Sequence, residues 1–344
     1  MKVVLASSFV PFINGGARFI VEWLEEKLAE HGHQVERFYL PFIESPHDML
    51  DQIAAYRLMD LQDAGDLLIA FRPPAYVLRH PNKVLWFIHH IRAYYDLWGQ
   101  PYAPEPNPQN QALRKALITA DTQAIGEAKK VFTNSKVVGD RLAKFNGLSS
   151  EVLYPPLYKP ERFRCDGYGK EIFVVCRVEP HKRQALLIEA MAHVKTDVRL
   201  RLCGKASSEA YAKSIEAMIN DLGLSNRVIF EDRWISEEEK ADLMAGALAC
   251  AYLPHDEDSY GYPSLEAAHA QKAILTTSDS GGVLELVEDE RNGLVVEANP
   301  RALAEAMDRL YRDAGWAEQM GRANFRRLSD LRIDWDHVVT ALTA

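Results

Sequence analysis

Several features that announce specialised protein classes are scarce or missing in this chain. Its 344 residues hold four cysteines, and Cys165, Cys176, Cys203 and Cys250 are widely separated with no C-x-x-C pair. That spacing excludes reading a disulfide framework or a zinc knuckle and leads us to expect a reducing, cytoplasmic setting. No window approaches the ~18 consecutive apolar residues of a membrane span, so any membrane contact is expected to be peripheral. The opening MKVVLASSFVPFINGG reads as a buried first strand followed by a glycine turn rather than as a secretory signal. Basic charge is also short. Lys+Arg number 40 against 49 Asp+Glu, a net charge of −9. Residues 1–155 carry 16 basic and 17 acidic side chains (−1), which leaves 24 against 32 (−8) for residues 156–344. An acidic second half argues against a nucleic-acid partner, because a phosphate backbone needs a basic groove. The cluster Lys129, Lys130, Lys136, Arg141 and Lys144 has two readings, a solvated helix face or a weak contact with anionic lipid at the inner face of a membrane. No G-x-G-x-x-G follows an apolar run, which weakens an NAD oxidoreductase reading.

What the chain does have is a repeated alternation. Short apolar runs at Val3–Ala6, Val84–Ile88, Val131–Thr133, Ile172–Cys176, Val198–Cys203, Val228–Glu231, Ala249–Leu253 and Ala273–Thr277 are separated by segments with helical spacing, such as Phe19–His31 and Gln184–Val194. This alternation predicts α/β architecture with doubly wound parallel sheets covered by helices. The length exceeds the roughly 250–300 residues at which one core stops growing, so two domains are expected. Prolines and glycines in LYPPLYKPERFRCDGYG, residues 153–169, mark the boundary. The expected domains are 1–155, completed by a terminal helix at about 326–344, and 156–325. A second proline-rich stretch, residues 99–111, reads as an exposed loop.

In open α/β sheets, ligands lie beyond the carboxyl ends of the strands, which directs attention to the residues just after each one. Gly15 and Gly16 follow the first strand, where they serve either a tight turn or the close approach of a ligand. His89 and His90 follow the second of these runs, and adjacent strand residues point opposite ways, so only one should face a ligand. Tyr94, Tyr95 and Trp98 either stack on sugar faces or fill a core. Arg177, Lys182 and Arg183 sit in a strand-to-helix loop suited to a diphosphate. In Asp258-Ser-Tyr-Gly-Tyr-Pro-Ser-Leu-Glu266, Gly261 permits close backbone approach. Pro263 suits a helix start, and the amides of Ser264 and Leu265 are expected to point outward as anion donors. Glu266 either complements the helix dipole or accepts ribose hydroxyls, and spacing does not choose between them. Asp256-Glu257-Asp258 also forms a D-x-D, which elsewhere marks a metal–diphosphate site.

The run HDEDSYGYPSLEAAHAQKAILTTSDSGGVLELVEDERNGLVVE resembles the carboxyl-terminal signature of the family 4 glycosyltransferases. RVEPHKRQALLIEAMAHV is similar to that family's arginine–lysine loop, KVLWFIHHIRAYYDLWG to its amino-domain histidine segment, and DWDHVVTAL to its final helix. The resemblance covers nearly the whole chain. It implies a GT-B fold, two Rossmann-like domains facing a central cleft, with an acceptor-side first domain and a nucleotide-sugar donor-binding second domain. It implies a retaining transferase that moves a sugar to a sugar, lipid-linked glycan or other hydroxyl, in glycan, polysaccharide or glycolipid biosynthesis, with no cofactor and no metal. The residues it assigns to the chemistry are His89, Arg177, Lys182, Asp258 and Glu266. The set expected to bind the donor is Gly15, Gly16, Gly204, Trp234, Gly261, Tyr262, Ser264 and Leu265. The family's first acidic position is a glutamate, whereas Asp258 stands here, so either Asp258 or the neighbouring Glu257 would approach the donor sugar. Rival readings are a nucleotide-sugar epimerase and a non-catalytic nucleotide-sugar-binding protein.

Overall fold

A computed structural model describes residues 1–9, 16–100 and 103–344. They form two compact units, Met1–Pro155 with Ile333–Ala344, and Pro156–Arg332.

Unit 1 is built from β1 (Lys2–Phe9), α1 (Gly16–Glu30), β2 (Gln34–Pro41), α2 (Met49–Leu58), β3 (Leu67–Ala70), β4 (Lys83–Phe87), α3 (Pro108–Gly126), β5 (Lys130–Thr133), α4 (Lys136–Asn146) and β6 (Glu151–Val152). Its strands pair in parallel in the order β2-β1-β3-β4-β5-β6. Val3, Leu5, Ile69, Val84 and Trp86 project from one face of the sheet into a core shared with Ile20, Val21, Leu24 and Leu28 of α1. Val4, Ala6, Leu68, Leu85 and Phe87 alternate with them and face the other side, against Leu113 and Leu117 of α3. Helices cover both faces, so the inner strands are buried nearly throughout.

Unit 2 contains β7 (Glu171–Val175), α5 (Gln184–Met191), β8 (Arg199–Cys203), α6 (Glu209–Asp221), β9 (Val228–Glu231), α7 (Glu237–Ala245), β10 (Ala249–Ala251), α8 (Tyr262–His269), β11 (Ile274–Thr277), α9 (Val283–Leu286), β12 (Gly293–Val296), α10 (Pro300–Arg312) and α11 (Ala314–Asp330). Strand order is β12-β11-β10-β7-β8-β9, again parallel. The first strand β7 therefore has β8 on one side and β10 on the other. The winding direction reverses between β7 and β10, which makes the carboxyl ends of those two strands the topological switch point.

Helix starts follow local chemistry. Ser135, Ser208 and Ser236 cap α4, α6 and α7 by accepting from the amide three residues on, and Asn299 does so ahead of Pro300. Asn107 caps α3, so residues 108–111 are helical where the sequence reading has a loop through 111. The helix that rejoins unit 1 is α12 (Trp335–Thr343), capped by Asp334. The return to unit 1 begins at Ile333 rather than near 326, because α11 continues to Asp330 within unit 2. Trp335, Val338, Val339 and Leu342 of α12 join the α1 core.

Candidate functional site

At the switch point of unit 2, two loops follow β7 and β10. The first runs through a short 3-10 turn, Pro180–Lys182, to Arg183, whose φ of 57° starts α5. Lys182 is 9% exposed. Its Nζ donates to the Tyr252 hydroxyl at 2.8 Å and to the Glu257 carboxylate, and lies 5.2 Å over the Tyr252 ring. A buried ammonium needs such partners, since an unpaired one would cost several kcal/mol. Arg177, in the same loop, is more than half exposed and pairs with Glu179 at 2.9 Å.

The second loop is held by contacts to both sides. Arg183 grips Asp279 through two bonds of 2.7 Å and reaches His255 Nδ1 at 2.5 Å; the guanidinium holds the Asp279 carboxyl down at about 2. The His255 amide donates to the His181 carbonyl at 2.9 Å, which ties the two loops together. Asp256 takes a left-handed φ of 46°, and its amide donates to Asp279. Gly281 and Gly282 pack so tightly that added Cβ atoms would stand 2.4 Å from the Glu257 carbonyl oxygen and 2.5 Å from Ser259 Cα. Asp258 is half-buried between these supports. Glu257, weighed as a stand-in for Asp258, is engaged by Lys182.

Gly261 has φ 70°, and a Cβ on it would meet the Tyr252 ring at 2.4 Å. The glycine lets the chain pass over the tyrosine that holds Lys182 and then begins α8 as its N-cap. The helix thus starts at Tyr262, one residue ahead of Pro263, which the sequence marks as suited to a helix start. Ser264 and Leu265 become its third and fourth residues, and their amides donate back to the Gly261 carbonyl at 3.2 and 3.4 Å. The expectation that these two amides point outward is corrected accordingly. The Ser264 hydroxyl is buried with no hydrogen-bond partner among the described residues. Tyr262 lies on the same turn, and burial raises its phenol pKa.

Glu266 is 6% exposed. Its Oε1 accepts from Lys240 Nζ of α7 at 2.5 Å, and Lys240 also donates to Glu237 at 2.9 Å. Burial pushes the Glu266 carboxyl up to about 7, against the pull of Lys240. The rise is fixed in direction by desolvation, and Lys240, whose pKa is raised by the two carboxylates against its own burial, remains an ammonium.

Lys182, Glu257 and Tyr252 are therefore in mutual contact, Gly261 packs against the Tyr252 ring, and Glu266 follows one turn later on α8. Other expected residues have surroundings of their own. Gly204 has φ 154°, and its Cβ would fall 1.8 Å from the Cys176 carbonyl oxygen, so this glycine is required by packing at the end of β7. Trp234, between β9 and α7, is 64% exposed. In unit 1, His90 is buried against Phe87 and Tyr95, bonds Asn146 at 2.9 Å and is held by burial at a pKa of about 4. His89 is the half-exposed member of the pair, its Nδ1 2.7 Å from the His90 carbonyl. Tyr94 and Tyr95 are core residues. Gly16 opens α1, and Gly15 lies outside the described residues. In the basic cluster, Lys136 pairs with Asp140 and Arg141 with Asp96. No described helix is long and apolar enough to cross a membrane.

The sequence reading missed Lys240, the Arg183–Asp279 clasp and the Gly281-Gly282 support. For Lys240 the available signal was a lysine directly after the acidic first turn Glu237-Glu238-Glu239.

Residues 160–327 match the family model for glycosyl transferases group 1. The chain is 27% identical over 206 residues to the alpha-maltose-1-phosphate synthase of Mycolicibacterium smegmatis, a stretch that is 56% of this chain and 53% of that protein. The chain thus spans about half the length of that relative. A glycosyltransferase of Methanocaldococcus jannaschii is 26% identical over 98% of this chain and 96% of its own. Among solved structures, Anabaena HepE in complex with UDP and glucose superposes with a TM-score of 0.72 at 20% identity, covering 99% of this chain and 98% of its own.

Proposed function

The chain belongs to the family 4 glycosyltransferases of the GT-B fold, and from that premise we propose that it moves a sugar from a nucleotide-sugar donor to an acceptor hydroxyl with retention of anomeric configuration. The observation that carries this reading is the meeting, at the unit 2 switch point, of a buried lysine, its tyrosine and carboxylate partners, and a glycine-started helix bearing a buried glutamate. Lys182 and Arg177 meet the diphosphate. Lys182 is held in place before the ligand arrives, so little reorganisation is needed as charge develops on the leaving group. Gly261 lets the chain enter the helix that carries Glu266, with Tyr262, Ser264 and Leu265 forming its opening turn, and Gly204 and Trp234 belong to the same donor-side unit. Glu266 accepts ribose hydroxyls, and Asp258 addresses the donor sugar. His89, Gly15 and Gly16 belong to the acceptor-side unit. In a retaining transfer the acceptor attacks the face the diphosphate leaves, and a phosphate oxygen of the leaving group takes the acceptor proton. The scheme needs no protein nucleophile and no metal, because cations of the chain supply the positive charge.

HepE holds UDP and glucose, which makes uridine nucleotides the first donors to try. Within the proposal the acceptor is a sugar, a lipid-linked glycan or another hydroxyl, in polysaccharide or glycolipid assembly at or near the cytoplasmic face of a membrane. The test is release of nucleoside diphosphate from a panel of nucleotide sugars with mono- and oligosaccharide acceptors, with and without EDTA. Acceptor-dependent release unaffected by chelator is expected, with the product retaining the donor's anomeric configuration. Conversion of donor without acceptor would replace the reading with an epimerase. Binding of nucleotide sugar without turnover would leave a binding protein, and no thermal shift with any nucleoside diphosphate would remove the donor site altogether.

A further inference from the structure

Lys240 sits where two forces disfavour a cation. It is the fourth residue of α7, beside the positive end of the helix dipole, and its side chain is only 12% exposed. A lysine side chain is long enough to put its ammonium in water while its stem covers apolar surface. This one instead lies over Phe163 and bonds the buried Glu266 as well as the half-exposed Glu237 one turn back on its own helix. Its partner is just as unusual. Glu266 is buried more deeply than Lys240, and only its Oε1 is engaged; among the described residues Oε2 has no hydrogen-bond partner. With Oε1 taken by Lys240, Oε2 of this carboxylate in the second turn of α8 has room for a ligand's hydroxyl groups.

We propose that Lys240 is a positioning residue of the donor site, which occupies Oε1 of Glu266 and favours the ionised form of that carboxylate so that Oε2 accepts the ribose hydroxyls of a nucleoside diphosphate. This rests on the donor reading given above.

The groups acting on Glu266 are Lys240 and Glu237 of α7, Arg162 of the turn Pro160–Arg162, Tyr262 on its own helix and Cys250 on β10. Burial raises the Glu266 carboxyl to about 7 and Glu237 adds to the rise, whereas Lys240 and Arg162 oppose it. Burial raises the Tyr262 phenol and the Cys250 thiol, so both stay neutral near pH 7. Arg162 is itself engaged by Glu237 at 2.9 Å, which leaves Lys240 as the cation in direct contact with Glu266. Without it, Glu266 would hold its proton to higher pH. A protonated carboxyl is a poorer acceptor for two hydroxyls, so donor affinity would fall at neutral pH and recover on alkalinisation.

The experiment uses the full chain and two readouts, calorimetry with UDP across mildly acidic to mildly alkaline pH and carbon-13 NMR titration of the Glu266 carboxyl without ligand. In the wild type, affinity should rise with pH and level off above about 7. Lys240→Met should weaken UDP binding about fivefold at pH 7, with recovery at higher pH, corresponding to a Glu266 titration moved up by about one unit. Lys240→Arg should restore the wild-type profile, and with Glu266→Gln the pH profile should be the same whether residue 240 is Lys or Met, leaving only the titration of the UDP phosphate at about 6. A loss in Lys240→Met that is equal at every pH, or a Glu266 titration that does not move, would overturn the proposal and leave Lys240 as packing. Should Lys240→Met misfold, Lys240→Gln carries the same comparison. If the wild type binds neither UDP nor any other nucleoside diphosphate, the donor reading fails, while the NMR titration still judges the Lys240–Glu266 coupling.

Discussion

Replacing Lys182 with alanine separates a structural lysine from one that acts on the leaving group. The substitution removes the bond to Tyr252, the ion pair with Glu257 and the cation over the tyrosine ring. Breaking a fully buried pair by removing one partner costs about 3–5 kcal/mol. Glu257 is 27% exposed and rehydrates once its partner is gone, so the stability loss should fall nearer the ~1–3 kcal/mol of a lost charge-assisted bond. Unit 2 should melt lower by a few degrees and remain folded at room temperature, since ~1 kcal/mol shifts a domain of this size by roughly 2–4 °C. Catalysis should suffer more. A preorganised donor aimed at developing charge is worth about 10²–10³ in kcat, or ~2.7–4 kcal/mol, and that term vanishes with the ammonium. Glu257→Gln is the control, because it costs stability through the same ion pair but leaves the ammonium in place. The assay is steady-state release of nucleoside diphosphate with kcat and KM resolved, beside thermal melts of both variants. We expect kcat to fall in Lys182→Ala with KM for the donor changed much less, and kcat to stay near wild type in Glu257→Gln. If Lys182→Ala melts lower yet turns over at the wild-type rate, Lys182 is a strut for the Tyr252 loop and has no part in stabilising the leaving group.

Glu266→Ala should weaken binding of both free nucleoside diphosphate and nucleotide sugar by about ten- to a hundredfold, corresponding to ~1.5–3 kcal/mol, whereas Asp258→Ala should spare the free diphosphate. Calorimetry with both ligands checks this, and intact affinities in Glu266→Ala would remove the ribose assignment. Gly261→Ala should destabilise unit 2 by more than the ~1–2 kcal/mol of a left-handed φ alone, because its Cβ would also overlap the Tyr252 ring at 2.4 Å; a denaturant melt within error of wild type would refute it. In unit 1, His90 and Asp121 act on stability with opposite signs. Burial lowers His90 to about 4, so the unfolded chain binds more protons below the ordinary histidine value and stability falls as pH drops from ~6.5 toward 4. Burial raises Asp121 to about 6, so the native state binds more protons and this contribution falls as pH rises from ~3.8 toward 6. Asp121→Asn should therefore steepen the loss of stability on acidification across that window, and an unchanged slope in urea titrations would count against the assignment.

Much of this was legible because parallel sheets write themselves plainly. Strands buried on both faces, such as Val84-Leu85-Trp86-Phe87, are continuous apolar runs, and the rule that ligands lie beyond strand ends then selects the loops holding Lys182 and Glu266. β2 escaped because Glu36 and Arg37 interrupt an edge strand that is only partly buried; β3, β6 and β12 also escaped. Glycines were legible as positions of close approach, but not as to what approaches. Gly204 gives way to a carbonyl and Gly261 to a tyrosine ring, and no spacing in the chain distinguishes these from a phosphate. The Lys240–Glu266 contact spans 26 positions across a strand, and it becomes visible only once α7 and α8 are set side by side by β10.

The ownership of α12 bears on how the molecule is made. Residues 1–155 emerge from the ribosome without Trp335, Val338, Val339 and Leu342, so one face of their core has to wait, covered by nothing native, while the whole of unit 2 is synthesised. Unit 2 is continuous in sequence and has no such debt, which makes it the part able to finish first. A nascent chain arrested near residue 332 would then carry a finished second unit behind an unfinished first one, with Ile20, Val21 and Leu24 on offer to chaperones. The same order makes a short carboxyl-terminal truncation a lesion at the opposite end of the chain, felt first by α1.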